Sequence, residues 1–191
     1  MIRRRRAVVE SPAPVVARTV NEWRWLSDDE RARLVEDTTA LMATKHWEAA
    51  RGFQLTDELR AVIAGHAALV TLGLGIDEYR HVRAIVVHPR PIVTSVPRPG
   101  PIPGTMQDGP MALLGEAHDR TGPVVLAWDA VRRDVRHGAR TGRNVVVHEF
   151  VHKLDMLDGL IDGTPPMSDP SAMAEWVAAS EEEFRSLRAT E

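Results

Sequence analysis

Residues 148–152 read His-Glu-Phe-Val-His, a spacing that can hold a metal ion beside a proton acceptor. On a helix, positions four apart differ by about 40° around the axis, so both imidazoles reach one ion from adjacent turns. Glu149 lies about 100° from His148. That sets its carboxylate beside such an ion, where it can take a proton from a water that zinc has activated. His148 and His152 are therefore expected as zinc ligands and Glu149 as the general base, with one zinc per chain. Asp155 falls three residues after His152, on the face the two histidines share. A carboxylate there either accepts the outer ring N–H of a ligand histidine or braces a nearby loop, and a supporting role fits it better than coordination.

A catalytic zinc takes three protein ligands and keeps its fourth position for water. One zincin arrangement places the third ligand six residues after the second histidine, at Asp158, but its turn needs a glycine where this chain has Asp155. A second arrangement draws a carboxylate from a later helix, for which Glu175 and Glu181, Glu182 and Glu183 are the candidates.

Several elements must position these groups. Residues 143–157 contain neither proline nor glycine, carry apolar side chains at helical spacing and stop at Gly159, which predicts the metal-site helix. Val145, Val146 and Val147 would bury that helix beside a sheet. Ser27 and Glu30 form a capping box for a helix running to about Lys45. Thr56 caps another, whose stripe of Leu59, Val62, Ile63, His66, Leu69 and Val70 ends at Gly73 and Gly75. His66 on that stripe reads as a hydrogen-bonded core residue, not a ligand.

Strands are expected over 83–88, 92–96 and 124–128, the last offering an edge to an extended peptide. Residues 97–110 hold five prolines and three glycines and read as a long surface loop, either bordering a cleft or an ordinary insertion. Asp169 and Pro170 open a final helix with Glu181 to Glu183 facing water. The order predicts an α+β fold, a small mixed sheet packed on the metal-site helix between N-terminal and C-terminal helices.

The chain has 191 residues, 43% of them hydrophobic, enough for one core. A single domain is expected over 21–191, after a flexible basic tail over 1–20 that carries Arg3 to Arg6, Pro12 and Pro14. With 24 basic against 27 acidic residues and a net charge of −3, direct nucleic-acid binding is not expected. The absence of cysteine excludes disulfides, a thiolate nucleophile and Cys-based zinc sites, and suits the cytoplasm. No run approaches the ~18 apolar residues of a membrane helix. Trp23 and Trp25 are candidate partner anchors or, more simply, staples beside a helix start.

The run NVVVHEFVHKLDMLDG (144–159), followed by DGTP (162–165), resembles the signature of the Mlc titration factor A family of zinc metallopeptidases. GPVVLAWDAV (122–131), GEA (115–117) and GFQLTDELRAVIAGHAALVTLGLG (52–75) are also similar. The resemblance implies a zincin-like domain, zinc on His148 and His152, and Glu149 as general base. It implies aminopeptidase-like action on short peptides, and binding to a transcriptional repressor that controls sugar uptake, with or without proteolysis. It also implies a third ligand from an Asn-Pro-Ala-Glu-like segment. That segment is expected beyond residue 191, Glu175 and the 181–183 cluster matching the helix before it, so that the chain lacks the family's C-terminal portion.

Overall fold

The computed structural model describes residues 11–94, 98–99, 106–107, 111–113, 115–117, 121–159, 163–164, 166–167 and 169–189, those between 93 and 117 by backbone alone. In chain order the elements are α1 (Ala13–Thr19), α2 (Asp28–Thr44), β1 (His46–Ala49), α3 (Asp57–Val70), β2 (Ala84–His88) and β3 (Ile92–Thr94). Then follow β4 (Arg98–Pro99), β5 (Met106–Gln107), β6 (Met111–Leu113), β7 (Gly115–Ala117), β8 (Val124–Ala127), α4 (Trp128–Thr141), α5 (Val145–Asp155) and α6 (Pro170–Ala189).

The three expected capped helix starts form as their caps require. Ser27 Oγ accepts the Glu30 N–H at 3.3 Å while Glu30 Oε2 accepts the Ser27 N–H at 2.7 Å, so two orphan donors of α2 are satisfied reciprocally. Thr56 Oγ1 accepts the Leu59 N–H and starts α3. Asp169 Oδ1 likewise accepts the N–H groups of Ser171 and Ala172, opening α6.

The flexible tail expected to residue 20 is corrected by α1. Its prolines sit before or within the first turn, where the backbone N–H has no helical partner to lose. Val16 and Val20 are buried and α1 packs on α3, so the folded body includes this segment. Residues 1–10, with Arg3 to Arg6, lie outside the described residues.

The main sheet has the order β1-β2-β8-β7, with β1, β2 and β8 parallel and β7 antiparallel to β8. It is mixed, as expected, and its parallel strands β1 and β2 are joined through α3. Ile85 pairs with Val124 and Val87 with Leu126, all four buried. The edge role expected for the strand at 124–128 is overturned. β8 pairs with β2 on one side and β7 on the other, and Trp128 already belongs to α4. Among the described residues the outer strand on that side is β7.

Two small antiparallel ladders, β3 with β6 and β4 with β5, occupy the connection from β2 to β8. The second falls within the stretch expected to be loop; two residues a side is what proline-rich sequence can contribute at a sheet edge. Leu34 and Leu41 of α2, Ile63 and Ala67 of α3, Ile85, Leu126 and Phe150 form one core. No described helix is long and apolar enough to cross a membrane.

Candidate metal centre

The helix α5 carries residues 148–152 and is fixed at its start by two side chains. Asn144 Oδ1 accepts the Val147 N–H at 3.2 Å, and Asp134 Oδ2, from α4, accepts the Val145 N–H at 2.9 Å. Both donors would otherwise lack helical partners. The apolar side of the helix, Val145, Val146, Phe150 and Leu154, is buried, and α5 packs on α3, β7 and β8. Phe150 meets Tyr79 edge to face at 4.9 Å between centroids. The Tyr79 hydroxyl donates to the Phe150 carbonyl at 3.3 Å, and burial holds that phenol above its ordinary range of titration.

His66 behaves as a core residue. It is 2% exposed, and its Nδ1 lies 3.0 Å from Asn144 Nδ2. Because Asn144 Oδ1 is committed to the helix start, the amide nitrogen faces the ring, and only a neutral imidazole with Nδ1 unprotonated can accept from it. Burial depresses the His66 pKa, against the pull of the Glu22 and Asp134 carboxylates.

On the outer side of α5 the rings of His148 and His152 stand at 82° with centroids 4.6 Å apart, and their Nε2 atoms are 3.2 Å apart. Two ligands at the usual Zn–N distance on a tetrahedral ion are separated by about 3.3 Å. The pair therefore presents two nitrogens at the spacing of a shared ion. Burial first, then the neighbouring His152, holds the His148 ring below its ordinary pKa, which favours the neutral form that binds metal.

Glu149 is 5% exposed, drawn inward by the same rotation that leaves His148 outside. Lys153, one turn further on that face, is fully buried and its Nζ donates to the Gly122 carbonyl at 2.8 Å. Asp155 is buried, and its Oδ1 accepts the Gly163 N–H at 2.9 Å, so its described contact braces the loop after the helix. Asn144, Asp134 and Lys153 went unnoticed in the sequence, although an Asn directly before Val-Val-Val-His is itself a cap signal.

Among the described residues no three His, Cys, Asp or Glu side chains converge as a metal site. Asp158 sits in the turn after α5. Glu175 and Glu181 to Glu183 lie on α6, of which no residue is buried. Trp23 packs against the core, whereas Trp25 is 69% exposed with Arg24 over its ring.

The model of the glucose-regulated metallo-peptidase M90 family matches residues 2–191. An uncharacterized protein of Synechocystis sp. is 32% identical over 163 residues, 85% of this chain and 58% of that protein. Proteins named Mlc titration factor A from Serratia proteamaculans and Edwardsiella ictaluri are 32% and 33% identical over 143 residues, 74% of this chain and 53% of each relative. The matched part of the chain thus spans between half and three-fifths of those relatives' length.

Proposed function

This chain belongs to the glucose-regulated metallo-peptidase M90 family, and from that membership we propose that it is a zinc-dependent peptidase acting on short peptides in an aminopeptidase-like manner. The observation that carries this reading is the 3.2 Å separation of the His148 and His152 Nε2 atoms. These two residues would hold the metal, and a third protein ligand is supplied from outside the described residues, by expectation from beyond residue 191. Zinc, when bound, polarises the scissile carbonyl and lowers the pKa of its water toward neutrality.

The remaining work falls to the chain's own groups. Glu149 accepts the proton released by the attacking water and returns it to the leaving amine, a role that its low exposure favours by keeping bulk water from competing. Asn144 and Asp134 fix the start of α5, and with it the direction in which His148 points. β7, the outer strand on that side among the described residues, packs on α5 and would offer backbone groups to an extended peptide. The zincin-like description of the domain, a cytoplasmic location and a link to the regulation of sugar uptake belong to the same proposal.

The deciding experiment is hydrolysis of short chromogenic peptides by the full-length protein, by Glu149→Gln and after chelation. Activity that survives both treatments would count against the reading.

A second reading has its own observation. Met173, Trp176, Val177, Phe184 and Leu187 of α6 are exposed apolar residues, and relatives bear the name Mlc titration factor A. On this reading the chain binds a transcriptional repressor without needing catalysis. Equal capture of such a repressor by wild type and Glu149→Gln favours it; loss of capture in Glu149→Gln opposes it.

A further inference from the structure

Arginine is concentrated where α4 hands over to α5. Arg133, Arg140 and Arg143, with His137 and Thr141, line a pocket of about 410 Å³ whose remaining wall is Asp134. That volume is within the range of small-ligand sites.

Two glycines shape the turn beside this pocket. Gly142 ends α4 in the left-handed conformation at φ 64°, and its N–H bonds to the Gly138 carbonyl at 2.8 Å. The Arg143 carbonyl then passes so close to Gly138 that a Cβ there would lie 2.7 Å from it. Only a residue without a side chain admits that approach, and its effect is to fold Arg143 back against the turn that carries Arg140 and His137.

The charges lining the pocket do not cancel. Asp134 is already engaged, its Oδ2 with the Val145 N–H at 2.9 Å and its Oδ1 with Arg133 Nε at 3.4 Å. Three guanidinium groups against one carboxylate leave two positive charges in excess, with His137 counted neutral. Among the described residues no ion pair reaches Arg140 or Arg143. Basic side chains in a last helical turn do offset the helix dipole. That effect requires neither a concavity nor a further arginine recruited from beyond the helix end.

We propose that this pocket binds a phosphate group of a small phosphorylated ligand, in a site separate from the metal helix's outer face and independent of the peptidase reading. Guanidinium forks match the paired oxygens of a phosphate, and more than one of them on a single pocket suits a dianion. A nucleic-acid backbone is the poorer match because the cations of α4 do not form one track. Arg132 and Arg136 line a different pocket with Trp128 and Val135, and Arg132 is paired with Asp129.

The test is calorimetric titration of the full-length protein with inorganic phosphate and with pyrophosphate at constant ionic strength. Saturable binding at one per chain is expected. Arg140→Ala and Arg143→Ala should each weaken it about tenfold, Arg143→Lys should weaken it less, and Arg136→Ala should leave it unchanged. Thermal melts check that each variant folds; should Arg143→Ala fail to, Arg140→Ala decides. Absence of saturable binding, or an equal loss in Arg136→Ala, overturns the proposal. So does tighter binding of duplex DNA that depends equally on Arg132 and Arg136.

Discussion

Asn144 touches His66 and the start of α5 with the two ends of one amide. Its Nδ2 lies 3.0 Å from His66 Nδ1 in α3 while its Oδ1 holds the Val147 N–H. One side chain thereby joins a core imidazole to the first turn of α5, whose start Asp134 also holds.

Asn144→Ala removes a helix cap and leaves the His66 acceptor without its donor. The two losses together should cost about 2 kcal/mol or more, read as a lower denaturant midpoint with an unchanged m-value. Asn144→Asp keeps the cap but removes the donor. It places a carboxylate against the ring, so protonated His66 becomes favoured and the variant should gain on wild type as pH falls.

The depressed pKa of His66 fixes the sign of a pH effect. The unfolded chain takes up the proton first as pH drops below about 6.5, so the stability that neutral His66 contributes at higher pH is lost on acidification. His81 and His88 are shifted in the same direction, with burial the first cause in each. Denaturation curves between pH 7 and 5 should therefore slope downward toward acid. His66→Gln should flatten that slope by at most about 1.4 kcal/mol per pH unit; an unchanged slope would remove His66 from the account.

Tyr79 and Phe150 tie the turn before β2 to the underside of α5. Phe150→Ala should cost about 3–5 kcal/mol, the range for emptying a fully buried ring site. Tyr79→Phe, which deletes only the hydroxyl bonded at 3.3 Å, should cost about 1 kcal/mol. Chemical denaturation of both variants checks the ratio.

His148→Ala and His152→Ala should each lower zinc affinity of the full-length protein by about a hundredfold or more, since even outer partners of metal ligands matter tenfold to a hundredfold. Asp155→Ala should act through the loop at Gly163, loosening it with a smaller change in affinity. Competition with a chromogenic chelator measures all three. Full zinc occupancy in His152→Ala would mean that the ring pair does not hold the ion.

Where local chemistry decides the structure, the sequence was readable. Ser27 with Glu30, Thr56, Gly159 and Asp169 mark element ends by the hydrogen bonds or backbone angles they supply, and the structure uses each that way. α5 was legible because no breaker interrupts 143–157 and its apolar positions recur at helical spacing. α1 was missed because Pro12 and Pro14 read as breakers, when only an interior proline breaks a helix. α4 was missed because β8 runs into it with no intervening residue and no capping side chain. β1 was missed because His46 to Ala49 is a short, largely exposed strand without a β-branched residue, whose place is set by pairing with β2. The support beneath the site, Asp134 and Lys153, depends on contacts 11 and 31 residues away, which spacing along the chain cannot reveal.

α6 is twenty residues long and buries none of them. A helix of that length without a packed face is only marginally held by its own backbone bonds. Its amide protons should therefore trade for deuterium at near-peptide rates while those of α3 and α5 stay protected to the global unfolding limit. Unless a companion settles on it, a protease should trim the chain back toward residue 169 and leave the histidine pair standing.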